Sequence, residues 1–254
     1  GAKVVPIFVS GTRSLPFSLT PAENASRQWF PKLSLSVLEP MTLEQLVALA
    51  APASSNSNAL FDRVAEARLG NADLNRTLFQ AVRDTAVRVG ASRQILEDVV
   101  SGPLSYRQLF ASARALGTRF MTVTAPGETV GILLPNTNGV VLSLLGLLSA
   151  GRVAAMVNYR VGPASVTLAV RTAVMRTVIS SRTFVDKEGL GDMVQAAEAG
   201  GAKFLWLEDL QARLTTMEKL SAALLWRVPL RRQDPTKPAI VLFTSGSESA
   251  PKAV

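Results

Sequence analysis

The sequence predicts an α/β protein whose larger part is a parallel, doubly wound sheet. Three observations carry that expectation. From Thr129 onward, short β-branched runs alternate with helix-length segments. The apolar run Ala239-Ile240-Val241-Leu242-Phe243 feeds directly into a glycine- and hydroxyl-rich loop, and such sheets present their loops beyond the carboxyl ends of strands. A hydrophobic content of 48% over 254 residues is ample for a packed core.

Taken in chain order, Val4 to Val9 and Leu33 to Leu38 read as strands, with Pro16, Pro21 and Pro31 breaking the polar segment between them. Thr42 with Gln45 offers a capping box for a short helix, Leu43 to Ala50. Ala51-Pro52-Ala53-Ser54-Ser55-Asn56-Ser57-Asn58 then reads as a flexible connection. A helical stretch from Ala59 to Leu69 ends at Gly70, whose achirality suits a C-cap.

From Asp73 the pattern changes. Leu74, Leu78, Val82, Thr85 and Val89 share one helical face, Gly90 ends the helix, and a second domain is expected to begin here. Ile95 to Val100 reads as a strand, Gly102-Pro103 as a turn, and Ser105 with Gln108 as a second capping box. The helix it opens carries a core stripe of Tyr106, Leu109, Phe110, Ala113, Gly117 and Phe120.

The alternating part follows as strand Thr129 to Leu134, helix Gly139 to Ala150, strand Val153 to Val157, helix Ala164 to Ala173 and strand Thr177 to Ser180. Helix Leu190 to Ala199, strand Lys203 to Leu207, helix Thr215 to Trp226 and a final strand complete it. The apolar run from Gly139 to Gly151 falls short of the roughly 20 residues a spanning helix needs, and reads as a buried helix.

Composition removes several chemistries. With neither Cys nor His, the chain holds no disulfide, thiol nucleophile, imidazole base, Ser-His-Asp triad or Cys/His metal site. The net charge of +8 attracts anions without choosing among nucleic acid, lipid, nucleotide and acidic protein. No nucleic-acid motif accompanies the basic residues, so no nucleic-acid partner is expected. No Gly-x-Gly-x-x-Gly follows any expected strand, which argues against a dinucleotide-binding oxidoreductase. Leu224-Leu225-Trp226 beside Arg227, Arg231 and Arg232 offers a peripheral membrane-binding reading, with the tryptophan at the interface; an ordinary helix end and linker is the competing one.

The closing loop, Thr244-Ser245-Gly246-Ser247-Glu248-Ser249-Ala250-Pro251-Lys252, has the make-up of a phosphate cradle. Small residues let backbone N–H groups approach an anion, hydroxyls add donors, and a lysine adds a point charge. It fails the Walker A pattern, since Pro251 replaces the second glycine and Ala253 the metal-binding hydroxyl.

Thr-Ser-Gly-Ser-Glu, two residues, then Pro-Lys instead resembles the ATP-phosphate loop of the adenylate-forming superfamily. There Ser249 and Ala253 stand where the usual pattern has glycine, and a side chain at a positive-φ position would cost about 1–2 kcal/mol. Gly131-Ile132-Leu133-Leu134-Pro135-Asn136 and Ala150-Gly151-Arg152-Val153 through Asn158 resemble a second landmark of that superfamily. Asn158-Tyr159, the stretch Ser181 to Lys187, Trp206 to Leu210 and Leu242 to Glu248 are most similar to one subgroup, the bifunctional 2-acylglycerophosphoethanolamine acyltransferase/acyl-[acyl-carrier-protein] synthetases.

The resemblance implies three parts. Residues 1–50 would be the tail of an acyltransferase domain, resting on Val4 to Gly11, Trp29-Phe30-Pro31 and Leu33 to Leu38; residues 51–72 a linker; and residues 73–254 the front of an AMP-binding synthetase domain. It implies ATP and Mg2+ as cofactors, with Thr244, Ser245, Gly246, Ser247, Glu248, Ser249 and Lys252 at the nucleotide phosphates and Glu248 orienting the loop. It places the magnesium ligands after Val254 and the acyltransferase His-x-x-x-x-Asp pair before Gly1, so no catalytic or metal residue is assigned within the chain. It implies fatty acid, acyl carrier protein and lysophospholipid as partners, at the cytoplasmic face of an inner membrane. Fatty-acyl-CoA ligation, or a non-catalytic membrane-binding homologue with a decayed loop, are the alternatives.

Overall fold

A computed structural model describes residues 3–18, 29–42, 44–45, 64–67, 69–70, 75–99, 101–244 and 252–254, in two units divided between Leu74 and Asn75.

The first unit holds two antiparallel ribbons. β1 (Lys3–Val4) pairs with β4 (Met41–Thr42), and β2 (Ile7–Ser10) with β3 (Ser34–Val37). The single strand expected over Val4 to Val9 is broken at Val5-Pro6: Pro6 has no N–H for a ladder, and its carbonyl accepts Leu38 N–H at 2.9 Å. The Thr42/Gln45 capping box forms, through Thr42 N–H to Gln45 Oε1 at 2.8 Å and Gln45 N–H to Thr42 Oγ1 at 3.2 Å. Most of the helix it opens, and the 51–58 connection, lie outside the described residues. Gly70 is itself helical rather than a cap.

In the second unit, α1 (Leu78–Val89) starts later than the apolar pattern from Asp73 suggests. Thr77 and Gln80 form a full capping box, and this local hydrogen bonding fixes the start. The buried face turns accordingly: Phe79 and Ala86 are buried with Val82 and Val89 beside them, while Leu78 is exposed and Thr85 Oγ1 bonds back to Ala81 O. Gly90 caps the helix at φ 105° as expected.

β5 (Gln94–Asp98) and β6 (Gly102–Ser105) form a hairpin, so Gly102-Pro103 is strand rather than turn; a two-stranded ribbon has edges that tolerate proline. Ser105 and Gln108 cap α2 (Tyr106–Val123), whose expected stripe is buried throughout.

The main sheet comprises β7 (Thr129–Ile132), β8 (Val153–Met156), β9 (Thr177–Ser180), β10 (Lys203–Trp206) and β11 (Ile240–Val241). Its order is β10-β9-β7-β8-β11 and all neighbours are parallel. The crossovers carry α3 (Asn138–Ser149), α4 (Pro163–Thr172), α5 (Arg182–Glu188) with α6 (Gly191–Ala199), and α7 (Leu207–Ala212) with α8 (Thr216–Leu224). The short helices α5 and α7 were not anticipated.

Both sheet faces are buried, which is why the strands read as continuous apolar runs. Val130, Ile132, Ala154 and Ile179 pack on Leu116 and Phe120 of α2 and Leu147 of α3. Leu133, Ala155 and Val178 pack on Val166 and Val170 of α4 and Ala197 of α6. The connection from β7 runs to β8 on one side and that from β9 to β10 on the other. The winding thus reverses between β7 and β9, the place where sheets of this kind bind ligands beyond the carboxyl ends of their strands. The doubly wound parallel fold expected from the sequence is therefore present.

Candidate active site at the carboxyl edge of the sheet

Five loops leave the carboxyl ends of the parallel strands, and four of them are anchored by hydrogen bonds and ring contacts, most of them between positions far apart in the chain. After β7, Leu133 extends the ladder by donating to Ile179 O at 2.9 Å, and its own carbonyl accepts Ser180 Oγ at 2.7 Å. The chain then enters α3, whose N-cap Thr137 makes no side-chain cap bond. Asp98 of β5 substitutes in trans, its Oδ2 accepting Asn138 N–H at 2.5 Å, while Asn138 Nδ2 donates to Gly102 O at 2.8 Å. A carboxylate at a helix N-terminus is electrostatically favourable.

After β8, Asn158 Oδ1 accepts Arg160 N–H at 2.9 Å, and Tyr159 packs edge-on against Phe184 with ring centroids 5.1 Å apart. After β9, Ser181 caps α5 and donates its hydroxyl to Glu208 Oε1 at 2.6 Å. After β10, Asp209 holds Arg182 through two bonds of 2.6 and 2.8 Å, and that guanidinium lies 5.1 Å from the Trp206 ring.

The electrostatics are those of a brace. Burial pushes the Glu208 carboxyl up, but the Ser181 hydroxyl and the backbone N–H groups of Glu208, Arg182 and Thr183 outweigh it and hold it below its usual range. The Arg182 hydrogen bond likewise holds Asp209 down. Both stay ionised near neutrality and are spent on neighbours, so neither is poised as a general acid or base.

The fifth loop follows β11. The expected strand through Phe243 stops at Val241, and β12 (Phe243–Thr244) turns into an antiparallel ribbon with β13 (Lys252–Ala253). Leu242 and Val254 exchange N–H···O bonds of 2.9 Å each, and the register sets Thr244 opposite Lys252. The ends of the candidate phosphate loop are thus clamped together at the carboxyl end of β11. Ser245, Gly246, Ser247, Glu248 and Ser249 lie outside the described residues.

The ribbon also settles one departure from the glycine pattern. Ala253 is in an extended strand paired with Phe243, and Val174 is the sole non-glycine residue of positive φ among those described. Alanine at this position therefore brings no backbone strain.

Trp226, read as a membrane-interface residue, is instead 6% exposed, packed against Phe110 with centroids 5.8 Å apart. No described helix is long and apolar enough to cross a membrane. Among the described residues no group of three or more acidic side chains gathers in one place.

Sequence reasoning missed the Asp98–Asn138, Ser181–Glu208 and Arg182–Asp209 pairs as positioning elements. Their partners lie 27 to 40 positions apart in the chain, and only the topology joins them.

Comparison with known proteins agrees with the fold. Solved structures with the same fold include VinN, with TM-score 0.56 and 21% identity over 71% of this chain and 43% of that one. O-succinylbenzoate coenzyme A synthetase (MenE) from Bacillus subtilis, in complex with AMP, matches with TM-score 0.53 and 15% identity over 71% of this chain and 42% of that one. The anthranilate CoA ligase AuaEII, in complex with anthranoyl-AMP, matches with TM-score 0.51 and 18% identity over 73% and 34%. The chain spans less than half the length of each. The family model described as AMP-binding enzyme matches residues 83–254, which hold the whole parallel sheet and the clamped terminal loop, and the chain belongs to that family of adenylate-forming enzymes.

Proposed function

We propose that the chain supplies the ATP-phosphate cradle of an enzyme that activates a carboxylic acid as its acyl-adenylate. The observation that carries this is the ribbon register: Thr244 opposite Lys252, closing a hydroxyl-rich loop at the carboxyl end of β11 in an AMP-binding fold. In the reaction a carboxylate oxygen attacks the α-phosphorus of ATP, the bond to the β-phosphate breaks, and pyrophosphate leaves. The chain's contribution is to hold the β- and γ-phosphates with backbone N–H groups around Gly246, the hydroxyls of Thr244, Ser245 and Ser247, and the Lys252 ammonium. The bracing of the neighbouring loops by Glu208 and Asp209 keeps the crevice rigid, so little reorganisation accompanies binding.

The finer reading is a fatty acid as the carboxylate and acyl carrier protein as the thiol acceptor, with onward reacylation of lysophospholipid by an acyltransferase fused ahead of residue 51. It rests on the resemblance of Asn158-Tyr159, Ser181 to Lys187 and Trp206 to Leu210 to that subgroup. Fatty-acyl-CoA ligation is the second reading, favoured by the CoA ligases among the structural relatives. ATP titration of the chain against Lys252→Ala tests the cradle: saturable binding that weakens about ten-fold in the variant is expected from loss of one charged contact. Absence of ATP binding, or binding indifferent to Lys252, defeats the reading. Exchange of labelled pyrophosphate into ATP with fatty and aromatic acids, followed by transfer to carrier protein or coenzyme A, separates the finer alternatives.

A further inference from the structure

A cleft follows the amino edge of the sheet and runs beside β11 as far as Val241 and Ala253, the latter in the ribbon strand that closes the phosphate loop. It occupies about 770 Å3 beside Thr129, Val153 and Ala239, where β7, β8 and β11 begin. That volume falls within the roughly 300–1,000 Å3 typical of small-molecule sites.

Its charge is one-sided. Arg76, Arg231, Arg232 and Lys237 line it, all exposed, and none forms an ion pair among the described residues. Asp234 is the one acidic residue lining it, and its carboxylate is already engaged: Oδ1 accepts Thr236 N–H at 3.0 Å and Thr236 Oγ1 at 2.6 Å. Behind these cations sits Arg152, 3% exposed, which adds positive potential from below.

The cations are also held in place. Arg231 N–H donates to Ser149 O at 2.9 Å, Leu230 N–H to Ser149 Oγ at 3.1 Å, and the Arg231 stem rests over Gly151. The Asp234 turn closes through Lys237 N–H to Asp234 O at 3.2 Å, fixing the backbone that carries Lys237. Like charges gathered on one cleft wall attract an anion, and guanidinium forks match phosphate oxygens in pairs.

We propose that this amino-edge cleft is a second anion site, distinct from the ATP loop, that takes a small ligand bearing several phosphate groups. Its arginines act in concert: Arg231 and Arg232 grip the phosphates from the strap before β11, and Arg76 and Lys237 close the charge from either side. The four cations that would grip the ligand lie outside Thr244 to Lys252, and Ala253 is where the cleft borders the loop's ribbon, so the Lys252 variant separates the two sites.

Calorimetric titration of the whole 254-residue chain with inorganic triphosphate tests it, in three proteins: unaltered, Lys252→Ala, and Arg231→Ala with Arg232→Ala. Circular dichroism melts establish that each is folded, and Lys237→Ala serves if the double variant is not. Saturable binding is expected to persist in Lys252→Ala and to weaken about ten-fold or more when the two arginines are removed. Loss in Lys252→Ala alone would assign the triphosphate to the ATP loop and overturn the proposal. Absence of saturable binding, or binding indifferent to Arg231 and Arg232, would overturn it too. In a parallel arm with phosphatidylglycerol vesicles, arginine-dependent binding to vesicles without binding to triphosphate would reject the free ligand in favour of a lipid headgroup.

Discussion

Helices α2 and α3 approach each other through two glycines, and alanine at either position tests how rigid that contact is. A Cβ on Gly117 would lie 2.7 Å from Gly146 O, and one on Gly146 would lie 2.8 Å from Ala113 O and 3.0 Å from the Phe120 ring. Two effects compete. Alanine is favoured over glycine in a helix interior by about 1 kcal/mol, whereas forcing an extra methyl into a packed core costs about 1–3 kcal/mol. The nearest obstructing atom at each position is a backbone carbonyl oxygen, with Leu230 Cδ1 and the Phe120 ring close behind, and α3 is pinned by Leu147 and Leu148, both essentially inaccessible to solvent. The steric cost therefore falls at the upper end, and Gly117→Ala should destabilise by about 1–2 kcal/mol net. Gly139, at the start of the same helix α3, is the control. Its nearest neighbour to a new Cβ is Thr137 Oγ1 at 3.5 Å, an ordinary contact, so Gly139→Ala should stabilise by about 0.5 kcal/mol. Urea unfolding followed by circular dichroism, with linear extrapolation, resolves the opposite signs. The Gly117→Ala/Gly146→Ala double variant should lose less than the sum, because both methyls demand the same separation of α2 from α3. If Gly117→Ala were as stable as the unaltered chain, or if Gly117→Ala and Gly139→Ala moved in the same direction, the rigid-contact argument would fail.

Val174 ends α4 at φ 51°, in a Schellman arrangement with Met175 N–H on Val170 O at 2.9 Å and Val174 N–H on Arg171 O at 3.2 Å. Val174→Gly should therefore stabilise by about 1 kcal/mol, raising Tm by about 2–4 °C; an unchanged melt would refute the strain. Arg152 closes the C-termini of two helices at once, donating from Nε to Thr124 Oγ1 at 2.9 Å and from its terminal nitrogens to Thr124 O and Ala150 O. A lysine ammonium cannot reproduce that fork, so Arg152→Lys should cost about 1–3 kcal/mol in the same unfolding assay despite conserving charge. The carboxyls of Asp209, Glu218 and Asp234 are held low by hydrogen bonds from Arg182, Thr215 and Thr236 respectively. Their folded pKa values lie below the unfolded ones, so the unfolded chain binds more protons in acid. Stability should be full above about pH 5 and fall as pH drops through the carboxylate range, and with no histidine it should be level from about pH 6 to 8. A stability step between pH 6 and 7 in chemical unfolding would contradict this.

Much of the second unit is legible in the sequence because its signals are local. Ser105 and Gln108 sit three apart and announce α2; Thr177 to Ser180 is a β-branched run between helical segments and is β9 to the residue. The failures share a cause. The apolar pattern running from Leu74 points to an earlier start of α1 than the Thr77 cap sets, because hydrogen bonds to orphan N–H groups decide where a helix begins. Gly102-Pro103 looked like a turn because its strand partner, Glu97 opposite Pro103, has to be known before proline in a ribbon becomes reasonable.

The site divides along the same line. Its chemistry is written in a contiguous loop, so Thr244 to Lys252 is recognisable by composition and spacing alone. What holds that chemistry in place is not contiguous. Asp98 caps α3 from a hairpin 40 positions earlier, and Glu208 accepts from Ser181 across 27 positions. These pairs carry no motif, since a carboxylate at a helix start or beside a serine is common in any sequence. Even the strand that delivers the loop was read one step too simply. A break at Leu242 turns the chain from the parallel sheet into a ribbon, and that turn sets Thr244 against Lys252. Local spacing thus names the groups proposed to meet a phosphate, whereas the pairing that brings the two ends of their loop together is a register that only the folded chain supplies.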